Sequence, residues 1–586
     1  MKINNRPMKD MPVFIDEQLR KYAELVPQKT VIFYDDRKYS YRDLARDVDI
    51  LAEHLRFLGL QNGDRVVIAM HRRPEIIVAF IAISKAGGIA VPLDFKLSLK
   101  EIDEIRRLTD PIGTIFSKDL KSQIGSIKEG EWRLEIEDST TFASFSEQVA
   151  PLSERERLPE DLVYLNFTSG STAKPKAAMA THKQLFYNTL ASCEVFKINE
   201  NDIHLPLFAV MSHPHEIFYR AILTGGSIAL VDNLYPRSIA RAITKYKVTC
   251  VMAVSPVYEL LIPFAGSTQY DFRSLRLPES GGMATPAWLQ ERFKDSFGVP
   301  IFPVWGSTET MGIAFASELN GITPRGSVGR ILPFYDSRIV DSKGNEVSEG
   351  EVGELLLRGS AITDGYWRAE DETRRVFEDG WYATGDLFHV DEQGYYFYHG
   401  RKDTMVKVGG MKVYPAEIEA VLYTHALIRE AVVVPFQDRL RGVVPLAAVV
   451  VEPGEMLTEA QLRQFLKDKL ARFKIPRIIR FLPDLPRTSG GKVDRKALTT
   501  GVPSPSDSPE LTIQRRIEAI DLKILHLLNE RLKLLMDIKD SSKISTFKPD
   551  QIQETIQRLQ EFNPGPLHDT FVEQLFRLIL SIPQYL

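Results

Sequence analysis

The sequence has few cysteines, no long apolar run and no strong excess of charge of either sign. Cys193 and Cys250 are the only cysteines among 586 residues, which excludes a disulfide framework or a cysteine-rich zinc site and fits a reducing compartment. No apolar run reaches the ~18 residues of a membrane span, and the first residues lack the apolar core of a signal peptide. We therefore expect a cytoplasmic protein with no membrane partner.

The charge balance gives no sign of a nucleic-acid partner. Lys and Arg total 74 and Asp and Glu total 78, so the net charge is −4 and a basic footprint for non-specific nucleic-acid binding is excluded. Hydrophobic residues make up 44% and charged residues 26%, which is ordinary for globular proteins. At about 150 residues per domain, the length indicates about four domains.

The apolar pattern predicts an α/β multidomain protein. From about residue 30 to residue 400, apolar runs such as 66–70 and 248–254 alternate with amphipathic stretches such as 41–60. Residues 401–498 mix strand and helix patterns in a smaller α+β unit. Residues 499–509 are rich in Pro and Ser, as in linkers.

The final segment, residues 510–586, predicts a long helix with one apolar stripe. Ile513, Ile517, Ile520 and Ile524 recur at helical spacing. So short a segment cannot bury this stripe alone. We therefore expect a partner helix, either from the same chain or from a second copy.

The segment TSGSTAKPK, residues 168–176, has the composition of a phosphate-binding loop. Gly170 permits a close backbone approach, the hydroxyl side chains donate to phosphate oxygens, and Lys176 neutralises charge. Taken alone, the segment is equally compatible with a flexible surface turn.

Four further motifs make a nucleotide site the better interpretation. Glu309 provides a carboxylate of the kind that holds Mg²⁺ beside phosphates. Asp386 is suited to hydrogen bonds with ribose hydroxyls, and Arg401 and Lys492 add positive charge. The motifs are WGSTET (305–310), YATGDL (382–387), GRKD (400–403) and PRTSGGKVDR (486–495).

Together these motifs resemble the adenylate-forming superfamily of acyl- and aryl-CoA ligases, peptide-synthetase adenylation domains and luciferases. The resemblance covers residues 15–498 and implies a large N-terminal body over 1–400 with a mobile C-terminal lid over 401–498. It also implies two half-reactions, which use ATP, Mg²⁺ and the thiol of coenzyme A or of a carrier-protein phosphopantetheine. The first makes an acyl-adenylate and pyrophosphate, and the second makes a thioester and AMP.

The resemblance also implies roles for individual residues. Thr308 would contact the α-phosphate, Glu309 would hold Mg²⁺, and Lys492 would bridge the attacking carboxylate and the nucleotide, which makes these three the catalytic residues. The phosphate-binding set is Thr168, Ser169, Gly170, Ser171, Thr172 and Lys176; the adenine set is Gly281, Gly282 and Trp305; the ribose set is Asp386 and Arg401.

The lid carries a hinge and a thiolation loop in this resemblance. Asp403 is the hinge residue, and rotation there would withdraw Lys492 and present Gly409 and Gly410 to a pantetheine arm. The phosphate loop departs from the family by carrying Ala173, and Ala177 follows it, where glycines are usual. We expect neither methyl group to abolish activity.

The acyl pocket implied by the resemblance is small and mostly apolar, which suits a flat aromatic ring or a short acyl chain. Met211 stands where amino-acid-activating relatives carry an Asp for the α-ammonium group, so an α-amino acid is disfavoured. Either histidine of the pocket is also compatible with a purely structural role. The pocket set is Met211, His213, His215, Ala253, Ser280, Val304, Gly312 and Ile313.

Residues 510–586 resemble the all-helical, three-helix chorismate mutases, which form intertwined dimers. Arg531 matches one family cation, but Gln514, Ser542 and Gln551 stand where the family carries Arg, Lys and Arg. We predict an inactive mutase-like module that forms a homodimer or senses a shikimate-pathway ligand. A plain dimerising tail and an active mutase are the alternatives.

The sequence thus predicts an AMP-forming ligase that activates a small carboxylic acid, by association an aromatic acid derived from chorismate, and transfers it to CoA. The segment 407–419 resembles CoA ligases more than peptide synthetases. The alternatives are a ligase that loads a free-standing carrier protein, a bifunctional ligase and mutase, and a binding protein with a degenerate ligase body.

Overall fold

The computed structural model describes most of residues 12–499 and short parts of both ends of the chain. The described residues are 2–3, 6–7, 12–93, 97–145, 156–168, 175–207, 213–232, 234–319, 323–408, 411–438, 442–452, 455–486, 493–495, 497–499, 553, 555–556 and 569–581.

Helices occur throughout the described part of the chain. They are α1 (Ile15–Leu25), α2 (Tyr41–Phe57), α3 (Pro74–Ala86), α4 (Leu99–Thr109), α5 (Ser139–Phe145), α6 (His182–Val195), α7 (Tyr219–Thr224), α8 (Pro236–Tyr246), α9 (Ser255–Leu261), α10 (Ala287–Phe297), α11 (Glu370–Val376), α12 (Pro415–Leu422), α13 (Glu459–Lys467) and α14 (Asp569–Ser581).

Strands alternate with these helices in the N-terminal part of the chain. They are β1 (Lys2–Ile3), β2 (Arg6–Pro7), β3 (Thr30–Tyr34), β4 (Arg37–Ser40), β5 (Arg65–Ala69), β6 (Ile89–Pro92), β7 (Gly113–Phe116), β8 (Trp132–Glu135), β9 (Leu162–Thr168), β10 (Lys176–Thr181), β11 (Ile203–Pro206), β12 (Ser227–Leu230), β13 (Cys250–Ala253), β14 (Leu277–Ser280), β15 (Phe302–Ser307), β16 (Gly312–Ala316), β17 (Ser327–Ile331), β18 (Tyr335–Val340), β19 (Gly353–Gly359), β20 (Phe377–Glu378), β21 (Trp381–Val390), β22 (Tyr396–Arg401), β23 (Val406–Val408), β24 (Met411–Val413), β25 (Ile428–Asp438), β26 (Gly442–Val451) and β27 (Ile478–Phe481).

The first large sheet has six strands in the order β10-β9-β6-β5-β7-β8. Only the pairing of β10 with β9 is antiparallel. The sheet is mostly parallel and β5 is buried on both faces, which explains its unbroken apolar run. Helix α3 beside it is buried at every position except Lys85.

The second sheet has fourteen strands and changes character along its length. Strands β3, β12, β11, β13, β14 and β15 pair in this order and are parallel to one another, and β4 pairs antiparallel with β3 at the edge. Beyond β15, strands β16, β17, β22, β21, β19 and β18 continue it by antiparallel pairing. Ligands of parallel α/β sheets bind beyond the carboxyl ends of the strands, so the ends of β13, β14 and β15 locate the region of interest.

One apolar core connects the two large sheets. It contains Ile68 of β5, Ile228 of β12, Leu51 of α2 and Ile77 of α3, all fully buried. Helix α2 begins at a capping box, in which Ser40 and Asp43 each accept from the other's backbone N–H. The α/β alternation predicted for residues 30–400 is therefore observed.

Residues 401–499 form a small α+β region of the same compact unit. Strands β25, β26 and β27 form a three-stranded sheet, and β23 pairs with β24 in a hairpin. The apolar faces of α12 and α13 bury Ile418 and Leu462 in the core of this region.

The chain divides into two compact units at Thr500 and Gly501, within the predicted linker. In the second unit, the structure describes the helix α14 over Asp569–Ser581. Arg577 of α14 donates to Glu573 and to Gln553 at 2.8 and 2.6 Å. The predicted long first helix lies outside the described residues. Among the described helices, none has the length and apolarity needed to cross a membrane.

Candidate active site

A tight turn after β15 positions the predicted catalytic residues Thr308 and Glu309. Gly306 permits this turn, because a Cβ there would lie 2.0 Å from the backbone oxygen of Gly312. The hydroxyl of Thr310 accepts from the backbone N–H of Ser307 at 2.8 Å and donates to the Gly312 oxygen at 2.6 Å. The 3₁₀ turn Thr308–Thr310 is therefore held at both ends.

Glu309 lies in a pocket formed with two tyrosines. Its side chain is largely buried, and one carboxylate oxygen accepts from the Tyr366 hydroxyl at 2.6 Å. Burial and the Glu309 carboxylate raise the pKa of Tyr366 far above its ordinary value, and the pKa of the buried Tyr382 is also raised. Both phenols therefore stay protonated and can donate a hydrogen bond to the Glu309 carboxyl group.

Lys176 lies next to the same tyrosine. Its ammonium group is 5.8 Å from the centre of the Tyr366 ring and pairs with Glu372 at 2.5 Å. Lys176 begins β10 and is the register partner of Thr168 at the end of β9, so the predicted phosphate loop connects two paired strands. The structure thus brings Lys176 and Glu309 to one site through Tyr366, although they lie far apart in the sequence.

The Glu309 site fits a magnesium ion that is shared with a nucleotide. The described residues contain no cluster of three or more His, Cys, Asp or Glu side chains that could hold a metal by themselves. Mg²⁺ usually keeps water and binds through one or two carboxylates together with substrate phosphates. A single oriented carboxylate beside a lysine matches that mode of binding.

Asp386 and Arg401 are brought together by strand pairing, as the ribose assignment requires. They are register partners in β21 and β22, and the Arg401 guanidinium donates to the Asp386 carboxylate at 3.2 Å and to the Thr384 backbone oxygen at 2.8 Å. Gly385, at φ +71°, provides the turn of the backbone between Thr384 and Asp386. Asp386 is mostly buried, whereas almost half of the Arg401 side chain is exposed.

The predicted adenine and acyl residues line adjacent strand ends. The Gly281 N–H donates to the Ala253 oxygen at 3.2 Å, which joins the ends of β13 and β14. Ser280 accepts from the Thr285 hydroxyl at 2.7 Å, and Gly282 follows at φ +77°. Trp305, Val304 and Ile313 pack together with the core of the second sheet.

His215 is a buried histidine with structural hydrogen bonds. Its Nδ1 is 2.7 Å from the Tyr164 hydroxyl, and burial holds its pKa well below the ordinary value. The adjacent His213 ring lies 6.3 Å away, centre to centre. His215 is therefore a neutral wall residue and carries no charge toward a ligand.

Several predicted residues lie outside the described residues or have no described side chain. Asp403 lies in the 3₁₀ turn Lys402–Thr404, and Thr168 ends β9, but only their backbones are described. Residues outside the description are Ser169, Gly170, Ser171, Thr172, Met211, Gly409, Gly410 and Lys492.

The sequence patterns missed Tyr366, Asn188 and Glu216. Tyr366 lies 57 positions from Glu309 and belongs to none of the five motifs. Asn188 is a buried polar residue in the middle of α6, which no local pattern distinguishes. Glu216 could have been found from the sequence, because it is the one acidic residue of the segment 208–218, the acyl segment, which contains the predicted pocket residues Met211, His213 and His215.

Comparison with known protein families identifies the family of this chain. The AMP-binding enzyme family matches residues 19–367, and the AMP-binding enzyme C-terminal domain matches residues 417–492. The chain belongs to the AMP-binding enzyme family. Residues 513–582 match chorismate mutase type II.

The alignments with known relatives cover nearly the whole length of those relatives. Indoleacetate–CoA ligase of Aromatoleum aromaticum is 30% identical over 492 residues, with 82% of this chain and 96% of the relative covered. 2-Succinylbenzoate–CoA ligase of Bacillus cereus is 31% identical over 491 residues, with 82% and 97% covered. The prediction of an AMP-forming acid–thiol ligase is thereby confirmed.

Solved structures show the same architecture. The anthranilate CoA ligase AuaEII, solved with anthranoyl-AMP, superposes with a TM-score of 0.77 at 28% identity and covers 84% of this chain and 98% of its own. ATP-bound MatB from Rhodopseudomonas palustris gives a TM-score of 0.77 at 27% identity, with 83% and 98% covered. With the mutase match, these likenesses confirm the predicted fold class of a large α/β body, a small C-terminal domain and a helical module.

Proposed function

We propose that this ligase activates a small aromatic carboxylic acid with ATP and Mg²⁺ and transfers the acyl group to coenzyme A. The observation that carries the proposal is the grouping of Glu309, Tyr366 and Lys176 at one site, which unites a metal-binding carboxylate with a phosphate-binding cation. The ribose pair of Asp386 and Arg401 adds the second part of a nucleotide site.

In the first half-reaction, a carboxylate oxygen of the acid attacks the α-phosphorus of ATP. The bond from the α-phosphorus to the bridging oxygen breaks, and pyrophosphate leaves with the electron pair. Lys176, with the loop Thr168–Thr172, holds the β- and γ-phosphates, and Thr308 holds the α-phosphate. When bound at Glu309, Mg²⁺ neutralises phosphate charge.

Other residues orient the two substrates in this step. Asp386 and Arg401 hold the ribose, while Gly281, Gly282 and Trp305 line the adenine slot. Lys492 contacts both the attacking carboxylate and the nucleotide, so its charge screens their mutual repulsion.

In the second half-reaction, the thiol sulfur attacks the acyl carbon of the adenylate. The carbon–oxygen bond to AMP breaks, AMP leaves and a thioester forms. Rotation of the lid about Asp403 withdraws Lys492 and brings Gly409 and Gly410 toward the pantetheine arm. CoA is favoured over a carrier protein because similar enzymes of known activity are CoA ligases.

An aromatic acid is favoured by the pocket and by the relatives. Ala253, Ser280 and Gly312, which the resemblance assigns to the acyl pocket, have small side chains or none, as a flat ring requires of its neighbours. Three of the similar ligases are named for indoleacetate, 2-succinylbenzoate and anthranilate, which contain an aromatic ring, whereas another is named for long-chain fatty acids.

Pyrophosphate release across a panel of benzoates, cinnamates, arylacetates and short fatty acids tests this proposal, with and without CoA. We expect release with an aromatic acid, and a CoA thioester when CoA is present. Release without any CoA thioester would support the carrier-protein alternative. No release with any acid would contradict the proposed activity.

The C-terminal module is proposed to be a homodimerising, catalytically inactive mutase relative. It retains Arg531, but Gln514, Ser542 and Gln551 replace family cations that a dicarboxylate needs. Chorismate consumption by the full chain would contradict this assignment and support the bifunctional alternative. A cytoplasmic location is proposed because the two cysteines are buried and unpaired.

A further inference from the structure

Glu216 is a buried carboxyl group in the acyl segment. It lies in the 3₁₀ turn Pro214–Ile217 and is 7% exposed. Burial raises the pKa of Glu216 to about 7, although the positive charge of Arg220 opposes the shift. A carboxyl group in such a place is costly unless something donates to it.

The nearest cation is already engaged by a different carboxylate. One guanidinium nitrogen of Arg220 donates to both oxygens of Glu279 at 2.7 and 2.9 Å, and both side chains are buried. Within the described part of the chain, no group donates a hydrogen bond to the Glu216 carboxyl. Glu216 is therefore not held as a member of a core ion pair.

Asn188 places a second acceptor next to this carboxyl. Its amide nitrogen donates to the backbone oxygen of Ile313 at 3.0 Å and to the Tyr335 hydroxyl oxygen at 2.9 Å. The Tyr335 hydroxyl in turn donates to the Thr310 oxygen at 2.7 Å. This network fixes the amide, so that its oxygen is held beside Gly312 at the start of β16.

Both acceptors converge on Gly312, a residue of the acyl pocket. Gly312 has φ +129°, and a Cβ there would lie 2.6 Å from a Glu216 carboxyl oxygen and 2.9 Å from the Asn188 amide oxygen. The amide oxygen has one long contact, 3.5 Å from Nε2 of His215. A glycine is thus needed, because the two oxygen acceptors occupy the space where a Cβ would stand.

The Glu216 carboxyl oxygen and the Asn188 amide oxygen have few hydrogen-bond donors among the described residues, which favours a ligand that donates hydrogen bonds. We propose that Glu216 and Asn188 form a subsite for a hydrogen-bond-donating substituent, an amino or hydroxyl group, on the aromatic acid. This inference rests on the proposed function and names its substrate class more closely. A site built to bond an OH or NH group rejects the analogue that lacks it far more strongly than an apolar pocket does.

The test compares kcat/KM for pyrophosphate release with aminobenzoates and hydroxybenzoates against benzoate, using the full chain. We expect the wild type to prefer at least one of these donor acids by ~30-fold or more. Glu216→Leu should reduce that preference at least ~10-fold, whereas Glu216→Gln, which keeps an acceptor oxygen, should retain most of it. Glu75→Leu is the matched control, because Glu75 is also a buried carboxyl but lies outside the acyl segment on α3.

Each outcome decides the question. Loss of preference in Glu216→Leu alone supports the subsite. An unchanged preference, or the same change in Glu75→Leu, overturns it, as does a wild type that prefers benzoate; in these cases the proposed function stands. No release with any acid overturns the proposed function and the subsite together. If Glu216→Leu does not fold, Glu216→Ala removes the carboxyl without adding bulk and is read in the same way.

Discussion

At the scale of single residues, the site depends on how Glu309 is held. Its carboxylate accepts a hydrogen bond from Tyr366, a phenol that stays protonated, and Tyr366 also lies beside Lys176. We therefore expect activity to depend on Tyr366, which orients the carboxylate, as well as on Glu309 itself. Outer groups of this kind commonly affect metal affinity or activity by ~10–100-fold.

Variants at Glu309 and Tyr366 distinguish the effect of the carboxylate charge from the effect of its orientation. Glu309→Gln should lower the rate of acid-dependent pyrophosphate release ~100-fold or more, because the charge that holds Mg²⁺ is lost. Tyr366→Phe keeps the charge and should cost only about tenfold. Initial rates across a magnesium titration provide the measurement. Equal losses in both variants, or full activity of Glu309→Gln at high magnesium, would contradict the assigned role.

Buried histidines make the stability of the folded body depend on pH. His204 in β11 is buried, neither ring nitrogen has a hydrogen-bond partner among the described residues, and burial lowers its pKa to about 3. Unfolded His titrates near ~6.5, so below that pH the unfolded chain binds more protons than the folded one. The stabilisation from the neutral ring is complete above pH ~6.5 and is lost as the pH falls toward 3.

His204→Leu removes the pH-dependent contribution of the His204 ring to the free energy of unfolding. Between pH 6 and 4 the free energy of unfolding of the variant should fall less steeply than that of the wild type, by at most ~1.4 kcal/mol per pH unit. Denaturant midpoints at several pH values provide the measurement. Identical slopes for the two proteins would show that the ring titrates normally in the folded state.

At the scale of elements, two glycines in different turns serve different needs: Gly306 lies at the turn after β15, and Gly344 lies between β18 and β19. Gly306 has an ordinary backbone conformation but no room for a side chain, since a Cβ would lie 2.0 Å from the Gly312 oxygen. Gly344 has φ +87° but nothing within 4 Å of a Cβ. Gly306 is therefore required for steric reasons, whereas Gly344 is favoured only for its backbone conformation.

Gly306→Ala should displace the turn that carries Glu309 and lower adenylation ~10-fold or more, together with the unfolding temperature. Gly344→Ala should cost only ~1–2 kcal/mol of stability, the penalty of a left-handed conformation, and leave activity near wild type. Paired rates and thermal unfolding provide the measurement. Equal activities of the two variants would contradict the steric argument.

Elements with a regular pattern were predicted well from the sequence. Residues 41–60 were predicted as a helix and α2 spans Tyr41–Phe57, because its apolar periodicity and Ser40 cap are local signals. The motif residues Glu309 and Lys176 were found through their residue types. Their common neighbour Tyr366 was not, because only the packing of distant strands brings it to the site.

The same limit applies to the acyl pocket. The resemblance named Gly312, but its closeness to Glu216 and Asn188 arises from β16 packing against α6 and the turn Pro214–Ile217. No periodicity or spacing encodes that contact. Sequence patterns therefore identified which strand ends matter, and the structure identified which polar groups meet there.

At the scale of the whole molecule, the chain joins a complete ligase to a smaller module. The ligase relatives match 82% of the chain, and the mutase match begins at residue 513, after the division of the chain at Gly501. The ranges that match the two AMP-binding enzyme families, 19–367 and 417–492, therefore lie within the first compact unit. We propose that the ligase activates the acid as an acyl-adenylate.

Oxygen transfer from substrate to product tests this claim most directly. With an active acid labelled with ¹⁸O at both carboxylate oxygens, plus ATP and CoA, we expect one labelled oxygen in AMP and the other in the thioester carbonyl. This distribution follows because the attacking oxygen stays on phosphorus when the thiol displaces AMP. Mass spectrometry of the AMP shows the outcome, and unlabelled AMP with label in phosphate or pyrophosphate would contradict the account.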